Sequence, residues 1–423
     1  MAKTAADVLQ SVRFEERVAE IELKLPTTLA LVQGASLAKR NQAKRQLYLE
    51  SELIRIELEE EMNVAGIEKE FLTSPLMKDA NAKLDAIRKQ LRLEALKVTN
   101  SQFEKVYSVV RFATFALLLV GWFSALVVVI PLRFAGPYLR SLGWKKNWLP
   151  IDIISWGMAY LICLAAGTET TVEGRENLLD LKDSVVCMFS HASNLDGFIV
   201  NETSPTAFKF AAKKSLFMLP FLGWVARWGF GFVAIDRGNR TAALSSLKEL
   251  AVSVNEEGNS VCISPEGTRS KDGLLQEFKK GPFYLREDTK KNVVPAIVYG
   301  AYELWPPGRL ITLPGKALVR YLPEYVADPS KNRNLNRLAL RRIYLKAFAE
   351  DVPEDIGTAA DANGILRNVV GIYLIWAVTF KVTSISFSVI SAVCYYLGIS
   401  YWTFSYLSFV VLLGLEALMF YTC

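Results

Sequence analysis

His191 is the only histidine in the 423-residue chain, and it stands in the run HASNLDGF with Asp196 five positions on. An imidazole accepts a proton near neutral pH, and a carboxylate one short turn away can hold its ring and stabilise the imidazolium that forms. The pair reads as a general base with its orienting partner. Further along come GFVAIDRGNR, with Asp236, Arg237 and Arg240, and SVCISPEGTRSKDG, with Glu266, Gly267, Thr268 and Arg269; NVVPAIVYG follows, with Pro295. Each begins in a β-branched or aromatic run that reads as a buried strand and ends in a charged or glycine-bearing turn, where functional side chains of α/β domains emerge. The pattern predicts that these charged ends converge on one rim.

The blocks HASNLD, GFVAIDR, PEGTR and VVPAIV, in this order between Val185 and Tyr321, resemble the glycerolipid acyltransferase family that includes 1-acylglycerol-3-phosphate acyltransferase. KKSLFMLPFLGW from Lys213 to Trp224 and FKKGPFYL from Phe278 to Leu285 look like the family as well. The resemblance implies an α/β catalytic domain over residues 172–327, with a central mixed sheet flanked by helices. It also implies a reaction: a fatty acyl group passes from acyl-CoA, as co-substrate, to the free hydroxyl of lysophosphatidic acid, forming phosphatidic acid with no further cofactor. His191 would remove the hydroxyl proton, oriented by Asp196. The acceptor alcohol then attacks the thioester directly, so no protein nucleophile is required. Ser190 and Ser193 flank the histidine, but the glycine-x-serine-x-glycine elbow of serine hydrolases is absent.

In the same reading Arg269 and Arg237 clamp the acceptor phosphate, because a guanidinium offers it paired donors in a fixed fork. Lys213 or Lys214 adds a point charge. Family likeness puts Glu266 in the acceptor site, on a glycerol hydroxyl or holding Arg269; a structural ion pair is the equal alternative. Gly267 lets the backbone approach the ligand, with Thr268 beside it. Backbone N–H groups at the start of the helix after HASNLD are the expected oxyanion donors. Three rival readings stand beside this one: an acceptor that is glycerol-3-phosphate or another lysophospholipid, a CoA-independent transacylase, and a membrane scaffold with a vestigial acyltransferase fold.

The elements around these blocks point to a membrane. Hydrophobic residues make up 51% of the chain and mean hydropathy is positive, which is unusual for a soluble enzyme of this size. Between Arg111 and Arg133 lie 21 uncharged residues, long enough to cross a bilayer, followed by a shorter apolar stretch from Ile153 to Gly167. The loop between them carries Arg133, Arg140, Lys145 and Lys146, and cationic loops stay cytoplasmic. Residues 107–171 are therefore expected to form a hairpin that enters one leaflet and returns. Residues 328–367 read as a cytosolic helical connector. From Asn368 to Cys423 the only charges are Lys381 and Glu416, so residues 368–423 are expected to make two spans, turning near Gly398 to Tyr401. The catalytic domain would face the cytosol, with the endoplasmic reticulum as the expected membrane.

Residues 1–106 differ: they are rich in Lys, Arg and Glu, and Leu84, Ile87, Leu91 and Val98 recur at a helical interval. Pro26, Gly34, Gly66 and Pro75 are expected to divide this extension into several helices with a solvated charged face. The alternative is a regulatory domain, binding a protein partner or lying against the membrane or the catalytic domain. Acidic residues at Asp7, Glu15 and Glu16 argue against a transit peptide, and no apolar signal segment opens the chain. Five widely spaced cysteines suggest reduced thiols rather than a disulfide frame, and a single histidine without paired cysteines makes a zinc site unexpected. No phosphate-cradling or dinucleotide fingerprint is present. The net charge of +6 reads as attraction to anionic headgroups of membrane lipids and to acyl-CoA rather than to nucleic acid.

Overall fold

The computed structural model of the protein describes residues 4–64, 74–98, 101–144, 148–179, 184–400, 402–403, 405–408 and 410–411. Gly66, Lys145, Lys146, Tyr401, Glu416 and Cys423, and with them most of the second predicted C-terminal span, lie outside these residues. The strands are β1 Thr168–Glu173, β2 Val186–Phe189, β3 Phe208–Lys213, β4 Val233–Ile235, β5 Ser260–Ile263, β6 Val293–Tyr299 and β7 Gly315–Tyr321. The longer helices are α1 Ala5–Ser11, α2 Phe14–Leu31, α3 Leu37–Val64, α4 Pro75–Gln90, α5 Gln102–Ala116, α6 Pro150–Ala166, α7 Asp196–Thr203, α8 Arg240–Asn255, α9 Gly281–Thr289, α10 Arg333–Ala349 and α11 Ala362–Leu397. The strands make a mixed sheet flanked by helices, and the chain divides into two compact units, each assembled from three segments.

The first unit comprises Met1–Thr99, Glu169–Pro205 and Cys262–Ala360. Its strands lie in the order β1-β7-β6-β2-β5. β2 runs parallel to β6, with Phe189 opposite Ala296, and β6 runs antiparallel to β7, with Tyr299 opposite Leu318. Every residue of β2, β5 and β6 is buried, which is why these strands read as unbroken apolar runs rather than alternating ones. Buried tyrosines tie α10 to the sheet: the Tyr344 hydroxyl donates to the Met188 carbonyl, and Tyr299 donates to Ala347 O at 2.6 Å.

The N-terminal helices belong to this unit, and the expected solvated face is not what α3 presents. Rich in Leu, Glu, Lys and Arg, α3 has the composition of a strong helix former, yet it buries Lys44, Arg45, Glu52 and Arg55. These charges tolerate burial because each has a partner. Glu52 pairs with Arg341 of α10, and Arg45 pairs with Glu303 at 2.9 Å while lying over the rings of Tyr299 and Phe348. Glu59 and Glu60 meet Arg337 and Arg342, each at 2.6 Å. Pro26 does not divide the region either; it sits inside α2, where burial of Ile21 and Leu25 carries the helix past the missing N–H. Pro75 behaves as expected, in the first turn of α4 behind Ser74, whose hydroxyl accepts from Met77 N–H at 3.3 Å.

The second unit comprises Asn100–Thr168, Thr206–Val261 and Asp361–Cys423. After Arg111 the apolar segment is a broken helix: α5 passes into a π turn at Leu117–Trp122 and, further on, a 3₁₀ turn at Val127–Val129. α11 is one helix of 36 residues, long and apolar enough to cross a membrane. It starts at Ala362, ahead of the predicted Asn368, because the Asp361 carboxylate caps it by accepting from Gly364 N–H at 2.8 Å. It stops at Gly398, in the left-handed region at φ 64°, where the turn was predicted. Its first half docks on α5 and α6: Trp376 Nε1 donates to Thr114 Oγ1 at 3.0 Å, and the Asn368 amide donates to Leu164 O. β3 and β4 pair in parallel, with Lys213 opposite Ile235.

Candidate active site

β2 delivers His191 to its position. Ser190 N–H donates to Ala296 O at 3.0 Å, and the Ser190 hydroxyl accepts from Val298 N–H at 2.9 Å, so the strand register continues to the residue before the histidine. α7 begins at Asp196. One carboxylate oxygen, Oδ2, accepts from Ala192 N–H and Ser193 N–H, both at 2.7 Å, and lies 2.9 Å from His191 Nδ1. An oxygen that already receives two N–H groups requires a donor as its third partner. Nδ1 therefore carries a proton, and in the neutral ring it is Nε2 that keeps its lone pair. The His191 side chain is 22% exposed and that of Asp196 is 1% exposed, so the imidazole is reachable while its partner is sealed.

Both flanking serines serve the backbone. Ser190 is held as described, and the buried Ser193 hydroxyl donates to Trp305 O at 2.9 Å while accepting from Leu195 N–H at 3.2 Å. Neither hydroxyl is bonded to the imidazole.

The loop after β5 closes over His191 from the other side. Glu266 is fully buried; Oε1 accepts from His191 N–H and Oε2 from Gln276 N–H, both at 2.8 Å. It thus brackets two loops through backbone amides, and is neither the ion pair nor the holder of Arg269 that the sequence reading weighed. Arg269 is held instead by Asn194, whose side-chain oxygen accepts from Nη1. Gly267 adopts φ +72°, so the position requires glycine for its own backbone, before any question of ligand approach. Thr268 and Arg269 are exposed, with Thr268 Oγ1 donating to Gln276 Oε1 at 3.3 Å. Ser270 N–H donates to His191 O at 2.7 Å, which holds the arginine's chain neighbour directly on the histidine backbone.

Burial pushes the Glu266 carboxyl up to about 8, against the two backbone N–H bonds that favour its charged form; the Asp196 charge adds to the rise. The unfolded chain ionises this group near 4.5. Between those values the folded state holds a proton that the unfolded state releases. The associated stability is full below about 4.5 and is lost as pH rises through about 8. The unfolding midpoint should fall across this window, and Glu266→Gln should flatten the fall even though it weakens one bracket bond. Equal pH slopes in the two proteins would remove the assignment.

Lys213, Lys214 and Arg237 lie in the second unit and emerge at the same end of the β3–β4 pair. There Lys214 Nζ is 3.9 Å from Asp236 Oδ2, a long pair between half-exposed groups that contributes little. His191, Asp196, Glu266, Gly267, Thr268 and Arg269 are brought together within the first unit.

Sequence reasoning passed over three residues. Asn194 was visible inside HASNLD, and Asp272 in a Ser-Lys-Asp-Gly turn, but Arg88 of α4 carries no local signal at all. A small cavity is lined by His191, Glu266 and Ser190 together with Arg45, Leu93 and Glu303, so the N-terminal region reaches the same pocket.

The His191–Asp196 pair, two serines bonded to backbone and an exposed guanidinium on the adjoining loop therefore share one site of the first unit. The Acyltransferase family matches the chain over residues 169–299. The chain is 31% identical over 221 residues to the 1-acyl-sn-glycerol-3-phosphate acyltransferase of Limnanthes douglasii, covering 51% of this chain and 73% of that one. Against the protein of the same name from Limnanthes alba it is 29% identical over 250 residues, covering 57% and 83%. The crystal structure of the 1-acyl-sn-glycerophosphate acyltransferase of Thermotoga maritima superposes with a TM-score of 0.44 and 21% identity, over 59% of this chain and 99% of that one. The chain belongs to the glycerolipid acyltransferase family and is an O-acyltransferase.

Proposed function

We propose that the protein transfers a fatty acyl group from acyl-CoA to the free hydroxyl of 1-acylglycerol-3-phosphate, forming phosphatidic acid. The observation that carries this reading is the His191–Asp196 pair, with Nε2 left to take a proton and both adjacent serines committed to backbone. The names of the Limnanthes relatives support the acceptor. Nε2 removes the acceptor hydroxyl proton as the oxygen bonds to the thioester carbonyl carbon. The tetrahedral intermediate then collapses, the C–S bond breaks, and the imidazolium returns the proton to the departing CoA thiolate. Asp196 keeps the ring oriented and stabilises its charged form during the interval. Arg269, anchored to Asn194 by one nitrogen, has its remaining donors available to the acceptor phosphate. The length and hydropathy of α11 support a membrane location; a cytosol-facing site on the endoplasmic reticulum would meet acyl-CoA directly.

The test is release of free CoA by the detergent-purified protein, given oleoyl-CoA with lysophosphatidic acid, glycerol-3-phosphate, lysophosphatidylcholine or no acceptor. Release that requires lysophosphatidic acid is expected; release with another acceptor replaces the substrate, and silence with all four turns the reading away from acyl-CoA. In the same assay Arg269→Lys should raise the acceptor KM about tenfold with a smaller change in kcat, because lysine keeps the charge and loses the fork. An unchanged KM would remove Arg269 from the phosphate.

A further inference from the structure

The loop from Ser264 to Lys280 contains no helix or strand, so its conformation depends on side-chain and tertiary bonds. Several of those bonds come from outside the segment that matches the Acyltransferase family. Arg88 of α4 grips Asp272 with a fork, Nε to Oδ2 at 2.7 Å and Nη2 to Oδ1 at 3.1 Å. Its Nη1 donates to the Tyr48 hydroxyl at 3.0 Å and to Leu275 O at 3.2 Å, and Tyr48 of α3 donates to the same Leu275 carbonyl. Asp272 Oδ1 in turn accepts from Ser270 Oγ at 2.7 Å and from Leu274 N–H at 3.1 Å. Ser270 N–H ends the chain on the His191 carbonyl at 2.7 Å.

The segment following α4 presses on the same loop. Leu93 N–H donates to Asp272 O at 2.9 Å. At Gly273 an added Cβ would stand 2.9 Å from Leu93 Cβ and 2.7 Å from the Tyr302 ring. This approach is closer than any residue with a side chain allows.

We propose that Arg88 is a positioning residue for acyl transfer: through Asp272 and Ser270, helices α3 and α4 brace the loop that sets Arg269 beside His191. The proposal rests on the acyl-transfer reading. Side-chain exposures of 20% for Arg88 and 24% for Asp272 make this a largely desolvated, bidentate pair rather than a surface one. Its loss falls unevenly on the site. His191 keeps Asp196 on its ring and Glu266 on its N–H, whereas Ser270, and Arg269 beside it, lose the group that holds Asp272. The effect is therefore on acceptor binding more than on the proton transfer.

The experiment compares the intact chain with Arg88→Ala, Arg88→Lys and Asp272→Asn, with Lys78→Ala as a control at an exposed position of the same helix. For whichever acceptor the wild type turns over, Arg88→Ala should raise KM about tenfold and lower kcat about twofold, with Arg88→Lys recovering part of the KM. Hydrogen exchange of the 264–276 peptide should quicken in Arg88→Ala while the sheet peptides stay protected. An unchanged KM with activity lost only in proportion to folded protein overturns the proposal, as does unchanged protection of that peptide. Should Arg88→Ala not fold, Arg88→Lys and Asp272→Asn give the same two readouts. A wild type that ignores lysophosphatidic acid would refute the proposed acceptor, while the exchange measurement would still decide the brace.

Discussion

His191→Ala should lower turnover about a thousandfold, within the roughly 10²- to 10⁴-fold that a positioned general base supplies, and should leave the unfolding midpoint nearly unchanged. The asymmetry follows from the geometry. The side chain is partly exposed and, among the described residues, makes one hydrogen bond, to Asp196, which retains its two backbone donors when the ring is gone. The backbone bonds of residue 191, N–H to Glu266 and carbonyl from Ser270, do not depend on its side chain. Initial rates of CoA release, set beside a thermal melt, separate the two effects. A variant retaining more than a few per cent of wild-type kcat would show that some other group takes the hydroxyl proton, and with Ser190 and Ser193 both bonded to backbone the reaction would have to be reconsidered.

Arg341→Met should strongly destabilise the first unit. The Arg341 and Glu52 side chains are 0% and 2% exposed, and Arg341 Nε also donates to Gln276 O at 3.4 Å. Removing the guanidinium leaves Glu52 buried with Arg55, 3.4 Å away, as its remaining pair partner. Breaking one side of a buried pair costs about 3–5 kcal/mol. For a unit of this size that is a fall of roughly 10 °C in the unfolding midpoint. The double variant Arg341→Met with Glu52→Leu should regain most of the loss, since two apolar side chains of similar volume owe no desolvation. A midpoint that moves by only a degree or two in the single variant would mean that water reaches Glu52.

The contrast between these residues separates what is legible in a chain from what is not. His191 and Asp196 lie within one loop and one helix start, so their spacing nearly dictates their contact: a carboxylate at the first residue of α7 turns back onto the amides and the ring just before it. β5 and β6 were legible because a strand buried on both faces must be apolar throughout. α11 was legible as a long apolar helix because length and hydropathy are both sums over composition.

Glu266 and the N-terminal charges are the opposite case. A glutamate in a turn reads as a ligand contact or an ion pair, and only the approach of a loop 75 positions away turns its carboxyl into a bracket for the His191 amide. The charged residues of α3 read as a solvated face, because a sequence records that a side chain is charged and not which distant residue meets it. Glu52 and Arg341, and Arg88 and Asp272, become buried or half-buried pairs only once α3, α4 and α10 pack in one unit with the sheet. Local chemistry is short-ranged along the chain and can be read there; desolvation and ion pairing depend on proximity in space, which the fold alone creates.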